Sequence, residues 1–175
     1  MEQGGTLMFV TRIIAVETDE QIRETADLAS QIWRQHFIPI IGKDQVEYML
    51  TKFQSYSAIK AQIEQDGYEY FQCLANGVLA GYAGIHEKDH ALFLSKLYIH
   101  EQFRGYHLAT EALKFLVALC KTRGLNRIWL TCNKHNDTTL AIYDHLGFRI
   151  VDEQVADIGN GFVMDDYIME ILVEE

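Results

Sequence analysis

A β-hairpin with a third strand beside it dominates the middle of this sequence. Asn76 and Gly77 separate two runs of strand-forming residues, Tyr68–Ala75 and 78–86, and Asn-Gly between two such runs is the strongest short-range signal for a hairpin. A further strand-like run, Ala91–Ile99, follows directly. The sequence therefore predicts a three-stranded antiparallel meander.

Helical and strand-like patterns surround this meander. The predicted elements are a strand at 8–16, a helix from residue 19, a break at 39–42, a helix near 46–53, a short helix at 57–65, the meander, a helix from 108 that ends at Gly124, a strand at 127–132, a helix at 137–146, and strands at 148–155 and Phe162–Leu172. Apolar residues recur at helical spacing in the predicted helices and alternate with polar residues in the predicted strands. The order predicts a mixed α/β (α+β) sheet of about seven strands with helices on both faces.

Length and composition favour one globular domain over residues 1–175. The 175 residues are 49% hydrophobic with one proline, which is typical of a folded chain long enough to bury a core. No apolar run approaches the roughly 18 residues of a membrane helix, and the start lacks a signal-peptide pattern. We expect residues 1–7 to be a flexible leader, with Met8 as an alternative start, and a cytoplasmic protein.

The cysteines and histidines predict no metal site. Three cysteines and seven histidines are present, but none shows the paired spacing of metal ligands. We expect the cysteines to be reduced thiols in or near the core.

Charge is unevenly distributed along the chain. The net charge is −10, yet residues 101–135 carry six basic and two acidic side chains. That segment is +4 and the remainder −14, which argues against nucleic acid as a partner. A polyanion bound at one site and a cation bound elsewhere fits this pattern, as does an ordinary solvated helix face.

The stretch QFRGYHLATEALKFL, residues 102–116, combines a basic residue, a glycine and an amphipathic helix. Unpaired backbone amides and the helix dipole make such a turn attractive to an anion. Arg104 adds positive charge, and Gly105 permits a tight turn. The stretch matches neither a Walker loop nor a dinucleotide fingerprint. A simple strand-to-helix turn is the alternative interpretation.

A second motif, NDTTLAIYDHLGFRI, places Asn136 before Tyr143 and a Gly147-Phe148 pair. Together with KLYIHEQFRGYHLATEAL, it resembles the GNAT superfamily of acyl-CoA-dependent N-acetyltransferases. The resemblance covers most of the chain and implies a mostly antiparallel sheet with acetyl-CoA as cosubstrate and no metal. The segments IWRQHFIPIIGKDQVEYMLTKF and GNGFVMDDYIMEI resemble bacterial polyamine-type (spermine/spermidine) members.

The resemblance also implies roles for individual residues. Arg104 and the amides of the turn would hold the CoA pyrophosphate, and the main chain of the fourth strand would pair with pantetheine. The cofactor-binding residues so implied are Leu97, Tyr98, Ile99, Arg104, Gly105, Tyr106, His107, Leu108, Ala109 and Asn136. One departure is His107, which stands where the family has its second glycine, and its Cβ opposes a positive φ.

Direct attack of an amine on the thioester, which the family uses, needs three groups. The Leu97 amide would support the oxyanion, and Tyr143 would protonate the departing thiolate, although a tyrosine packed under the turn is the alternative. A base is harder to assign because the fourth strand contains no acid. The candidates are Glu87, Asp89, His86, His90 and His36.

Charge and sequence resemblance also bear on the acceptor and on assembly. The negative charge outside residues 101–135 suits a small cationic amine such as a polyamine. The side chains that could meet an ammonium group are Glu47, Tyr48, Asp165 and Asp166. The alternatives are a non-catalytic CoA-binding or regulatory module, or an enzyme for protein N-termini, lysines or aminoglycosides. A homodimer is also open, since dimers are common in the resembled family.

Overall fold

The computed structural model describes residues 9–174, so the expected leader lies outside the described residues. The strands are β1 (Thr11–Ala15), β2 (Tyr68–Ala75), β3 (Val78–Lys88), β4 (Ala91–Ile99), β5 (Arg127–Asn133), β6 (Arg149–Gly159) and β7 (Phe162–Leu172). The helices are α1 (Asp19–Ile41), α2 (Lys43–Met49), α3 (Tyr56–Gln65), α4 (Leu108–Arg123) and α5 (Asp137–His145). A π-helical turn at Leu50–Gln54 and a 3₁₀ turn at Glu101–Phe103 complete the set.

The seven strands form one sheet in the order β1-β2-β3-β4-β5-β7-β6. Every neighbouring pair is antiparallel except β4 and β5, which run parallel. The predicted fold class is therefore confirmed. The predicted meander forms the β2-β3-β4 half of the sheet, turning at Asn76 and Gly77, whose φ angles are 50° and 81°.

Helices cover both faces of the sheet. One core lies under α4 and α5 and includes Leu92, Leu116, Ile128 and Phe148. On the other face, two further clusters join α1, α2 and α3 to the sheet. All three cysteines are buried and unpaired, as the sequence predicted.

Helix α1 differs from the prediction at its end. Thr18 caps its start with a capping box that includes Gln21, but the helix continues through Pro39 to Ile41. The break predicted over 39–42 is therefore found at Gly42, between α1 and α2, and its beginning at Pro39 is wrong. Proline removes only one hydrogen bond near a helix end, and the last turn packs Ile38, Ile40 and Ile41 against the α2 cluster.

Candidate active site

A gap in the sheet between β4 and β5 is the central feature of the site. Their parallel pairing covers three residues on each strand, from Ala91–Phe93 and from Arg127–Trp129. Beyond this point the strands diverge, and residues 94–99 of β4 have no strand partner on that side among the described residues. The open edge leaves main-chain polar groups free to bind a ligand.

A β-bulge in β4 sets which groups face the gap. Lys96 pairs with Gly84 and Leu94 with Ile85, so Ser95 is an extra residue. Further along, the His100 amide donates to the Ala80 carbonyl at 2.7 Å. Because hydrogen-bonded and non-hydrogen-bonded pairs alternate in an antiparallel ladder, the main-chain groups of Leu97 and Ile99 point away from β3 and toward the gap.

The N-terminus of α4 adjoins this edge. Gly105 has a φ of 85°, and nothing would lie within 4 Å of a Cβ there. His107, directly before the helix, is left-handed with φ 64° and ψ 21° and gives no side-chain cap. The first helical bond runs from the Glu111 amide to the His107 carbonyl. The preceding amides therefore lack helical acceptors and are available to an anion.

The neighbouring residues of this turn have distinct surroundings. The Arg104 Nε atom donates to the Ile99 carbonyl at 3.1 Å, which ties the turn to the end of β4. Tyr106 instead stacks edge-on against Phe9, with ring centroids 4.6 Å apart. The Leu108 side chain is buried beside Ala75 and Ala80, so only its main chain can serve the turn.

A cleft of about 1470 Å³ runs from this turn through the gap to the α1 face of the sheet. It exceeds the roughly 300–1,000 Å³ typical of pockets for one small molecule. All of the sequence-predicted site residues except Tyr106 line it. The cleft therefore has room for two reactants, and the gap joins the two faces of the sheet.

Asn136 and His36 meet inside the cleft. The Asn136 Oδ1 atom lies 3.0 Å from the His36 Nε2 atom, and Asn136 is buried at the start of α5. Burial lowers the pKa of His36, the hydrogen bond to Asn136 raises it, and the nearby charge of Arg104 lowers it further. The contact brings α1, α5 and the Arg104 turn together at one point.

Tyr143 projects from α5 into the cleft. Its ring packs edge-on against Phe148, with the ring centroids 5.3 Å apart, which agrees with the alternative of a tyrosine packed under the turn. Tyr143 nevertheless also lines the cleft. Burial raises the pKa of Tyr143, so the phenol stays protonated at neutral pH. Tyr98 also lines the cleft, and its pKa is raised first by burial and then by the charge of Tyr143.

Lys96 is a buried cleft residue that the sequence analysis missed. Only 5% of it is exposed. Its Nζ atom donates to the Phe53 carbonyl at 2.5 Å, to Gln62 Oε1 at 3.2 Å and to the Tyr70 hydroxyl. Burial lowers the pKa of Lys96 to about 7. A lysine within the apolar run LFLSKLYI is the one signal that could have identified it.

Of the five base candidates from the sequence, only His36 lines the cleft. Glu87 instead lies 3.4 Å from Arg123 in an exposed ion pair. Among the proposed ammonium contacts, Glu47 pairs with Arg34 at 2.7 Å and Asp165 pairs with Lys134 at 2.9 Å. Of the three acids in that set, Asp166 is the one that lines the cleft and has no ion-pair partner among the described residues.

Contacts from α2 and the π-helical turn to the β6–β7 hairpin bound the α1 side of the cleft. The Tyr48 hydroxyl and the Lys52 Nζ atom both donate to the Ile158 carbonyl, at 2.7 Å and 2.5 Å. Gln45 Nε2 donates to the Val163 carbonyl at 3.1 Å. These bonds hold the hairpin over the cleft and limit the room on that side.

Residues 27–148 match the family model for the acetyltransferase (GNAT) family. The chain belongs to the GNAT acetyltransferase family. The predicted family, enzyme class and acetyl-CoA cosubstrate are therefore confirmed. The residues fit that cosubstrate, because the uncapped α4 terminus and Arg104 match its phosphates and the open β4 edge matches its amide-bearing arm.

Solved GNAT structures share this fold at low sequence identity. A PaiA N-acetyltransferase from Thermoplasma acidophilum in complex with coenzyme A has a TM-score of 0.77 at 16% identity, covering 91% of this chain and 97% of that one. A GCN5-related N-acetyltransferase from Rhodopseudomonas palustris reaches 0.76 at 18% identity, covering 95% and 98%. The ribosomal-protein-S18-alanine N-acetyltransferase from Escherichia coli reaches 0.67 at 18%, covering 95% and 96%.

Two further findings complete the comparison. No curated protein matches the chain. Within residues 9–174, no helix is long and apolar enough to cross a membrane.

Proposed function

We propose that this protein transfers the acetyl group of acetyl-CoA to a primary amine on a small cationic molecule of the polyamine type. The observation that carries the proposal is the gap between β4 and β5, beside which lie free main-chain groups and an uncapped helix terminus. Acetyl-CoA supplies an activated thioester. The amine attacks it directly, with no covalent intermediate on the protein.

Binding of the phosphates belongs to the turn before α4. The amides of residues 105–109 and the guanidinium of Arg104 hold the pyrophosphate. The main chain of Leu97 and Ile99 aligns the pantetheine arm; the Ile99 carbonyl already accepts from Arg104, so its amide is the free partner. Asn136 orients the ligand from the start of α5.

Two groups act on the reacting atoms. The Leu97 amide faces the gap and donates to the carbonyl oxygen as negative charge develops there. Tyr143 donates a hydrogen bond, and then its proton, to the departing sulfur. Because burial keeps this phenol protonated, the donor is in place throughout the physiological pH range.

A small acceptor is favoured by the bounded α1 side of the cleft. The hairpin bonds from Tyr48 and Lys52 to Ile158 leave less room for a peptide backbone than an open groove does. The net charge of −10, with positive charge concentrated in residues 101–135, draws a cation by its long-range field. Both observations support a compact amine over a protein terminus.

Thiol release over an amine panel tests the proposal. Purified protein is incubated with acetyl-CoA and, separately, a diamine, a polyamine, an N-terminal peptide and an aminoglycoside. We expect the first two to give the highest kcat/KM. Activity confined to the peptide or the aminoglycoside would refute the acceptor class, and silence with every amine in protein that binds CoA would refute catalysis.

The variant Tyr143→Phe tests the proton donor. We expect kcat to fall by about 10²–10⁴, while CoA still raises the melting temperature as in the wild type. Tyr167→Phe is a matched control, because Tyr167 lies on β7 and packs against the core outside the cleft. Equal kcat values for the two variants would exclude the assigned role.

A further inference from the structure

Asp166 on β7 is a carboxylic acid with an unusual position. It is 2% exposed and is the one acid among the buried side chains of residues 9–174. Its Oδ1 atom is buried and has no hydrogen-bond partner within the described part of the chain. Because burying an unpaired carboxylate is costly, its retention here indicates a partner that arrives with the ligand.

An aromatic wall stands beside this carboxylate. The rings of Trp33 and Phe37 stack at 4.3 Å, and Tyr98 meets them edge-on at 5.5 Å and 5.9 Å. Asp166 shares a sheet face with Met164, which packs against this cluster, and it lines the same cleft as the three rings. Aromatic faces and a carboxylate both attract an ammonium group.

The carboxylate also lies near the reacting end of the cleft. Asp166 pairs with Asn133, the last residue of β5, and α5, which carries Tyr143, begins at Asp137. Asp166 and Tyr143 both line the cleft. A group held by Asp166 is therefore close to the side of the gap where Tyr143 projects.

The charged groups around Asp166 leave it unneutralised. Burial and the neighbouring Asp165 raise the pKa of Asp166 and Lys134 lowers it, which together bring it to about 6. Lys134 itself is 2.9 Å from both Asp165 and Glu153, so its charge is largely matched elsewhere. The other titratable groups nearby are Tyr98, Cys132 and, one turn of α1 away from Trp33, His36.

We propose that Asp166 and the ring faces of Trp33, Phe37 and Tyr98 form the binding site for the ammonium group of the acceptor. The carboxylate also accepts the first proton that the ammonium group must lose: the N–H bond breaks, the proton passes to a carboxylate oxygen of Asp166, and the freed nitrogen electron pair attacks the thioester carbon to form the C–N bond. As the C–S bond breaks, the sulfur takes the phenol proton of Tyr143, and the second proton lost by the nitrogen restores that phenol. This assignment rests on the proposed function and names its acceptor class, a primary alkylammonium.

Asp166→Asn and its neighbour Asp165→Asn form a matched pair. Asp165 is the control because its side chain points to the other face and is 45% exposed. With 1,4-diaminobutane as acceptor, we expect Asp166→Asn to lower kcat/KM at least 100-fold and to abolish the acidic limb of the pH profile near pH 6. Asp165→Asn keeps kcat/KM and retains an acidic limb, displaced to lower pH because the neighbouring charge that raises the pKa of Asp166 is lost. In each variant the CoA-induced rise in melting temperature persists.

Binding without turnover separates this site from the proposed function. In the presence of CoA, calorimetry should detect 1,4-diaminobutane, with affinity that falls about tenfold per pH unit below pH 6 as the carboxylate protonates. This wild-type measurement holds even if Asp166→Asn fails to fold. Diamine binding without thiol release would sustain the site and refute the transfer. Thiol release with equal kcat/KM and equal pH profiles in both variants would overturn the site alone.

Discussion

Replacing Lys96 by Met is the sharpest test of how the cleft is held together. Lys96 lies on β4, and its ammonium group donates to three oxygen atoms, of which the Phe53 carbonyl belongs to the π-helical turn. No carboxylate of the described residues pairs with it. Neutral oxygens thus replace water around a charge that is 5% exposed.

The size of the effect follows from the pKa of this side chain. Burial lowers the pKa of Lys96 from 10.5 to about 7, a difference equivalent to about 5 kcal/mol. Between these values the unfolded chain holds a proton that the folded chain has released. The free energy of unfolding therefore rises with pH in this window, by up to about 1.4 kcal/mol per pH unit, and this contribution is lost as the pH falls through 7.

Urea denaturation at several pH values between 7 and 10 measures this slope. We expect Lys96→Met to remove it, so that the wild-type curve minus the variant curve rises with pH. Other titrating groups cancel in that difference. Lys88→Met is the control because Lys88 is exposed at the end of β3, and its difference curve should be flat. Parallel curves for wild type and Lys96→Met would refute the buried, proton-releasing lysine.

Two backbone positions give further predictions. His107→Gly should change the free energy of unfolding by no more than about 1 kcal/mol and keep CoA binding. His107→Val should lower the free energy of unfolding by about 2 kcal/mol and weaken CoA binding, because a β-branched residue resists a φ of 64°. Denaturation measures the stability of the two variants, and thermal shifts with CoA measure their binding. Gly159→Ala places a Cβ 2.6 Å from the Tyr48 hydroxyl, while Gly161→Ala meets nothing within 4 Å. Both glycines have positive φ, so the backbone strain of the two variants is similar. The free energy of unfolding should therefore fall by about 1–3 kcal/mol more in Gly159→Ala, and this difference measures the contact between the hairpin and Tyr48.

The strands were predictable where local chemistry fixes them. Tyr68–Ala75, Ala91–Ile99 and Phe162–Leu172 begin and end where the sequence analysis put them, because a turn with positive φ angles borders each run at one end or both. These turns are at Gly67, Asn76-Gly77, Asp89-His90 and Asn160-Gly161. Gly124 likewise ends α4 in a left-handed conformation, with φ 70°. Strand β6 extends to Gly159 rather than 155 because β7 pairs with it along nearly its whole length, which is a non-local effect.

The candidate site likewise has parts that follow from local sequence and parts that depend on distant residues. The turn from Arg104 to Ala109 could be located because a helix terminus, a glycine and a basic residue are neighbours in sequence. The partners of Lys96 lie 26 to 43 residues away, and lysine is almost never fully buried, so no local pattern revealed it. For the adjacent pair Asp165 and Asp166, only the pairing register decides which side chain enters the cleft.

The bulge at Ser95 determines both the burial of Lys96 and the direction of the Leu97 amide. Up to that point Leu92 and Leu94 face the core under α4, and strict alternation would send residue 96 to the same face. The extra residue shifts the register by one, so Leu97 takes the α4 side and Lys96 turns toward α3. A slip of one residue exchanges the faces of a strand. Without the bulge, the lysine would enter the apolar core, and the Leu97 amide would no longer be directed into the gap.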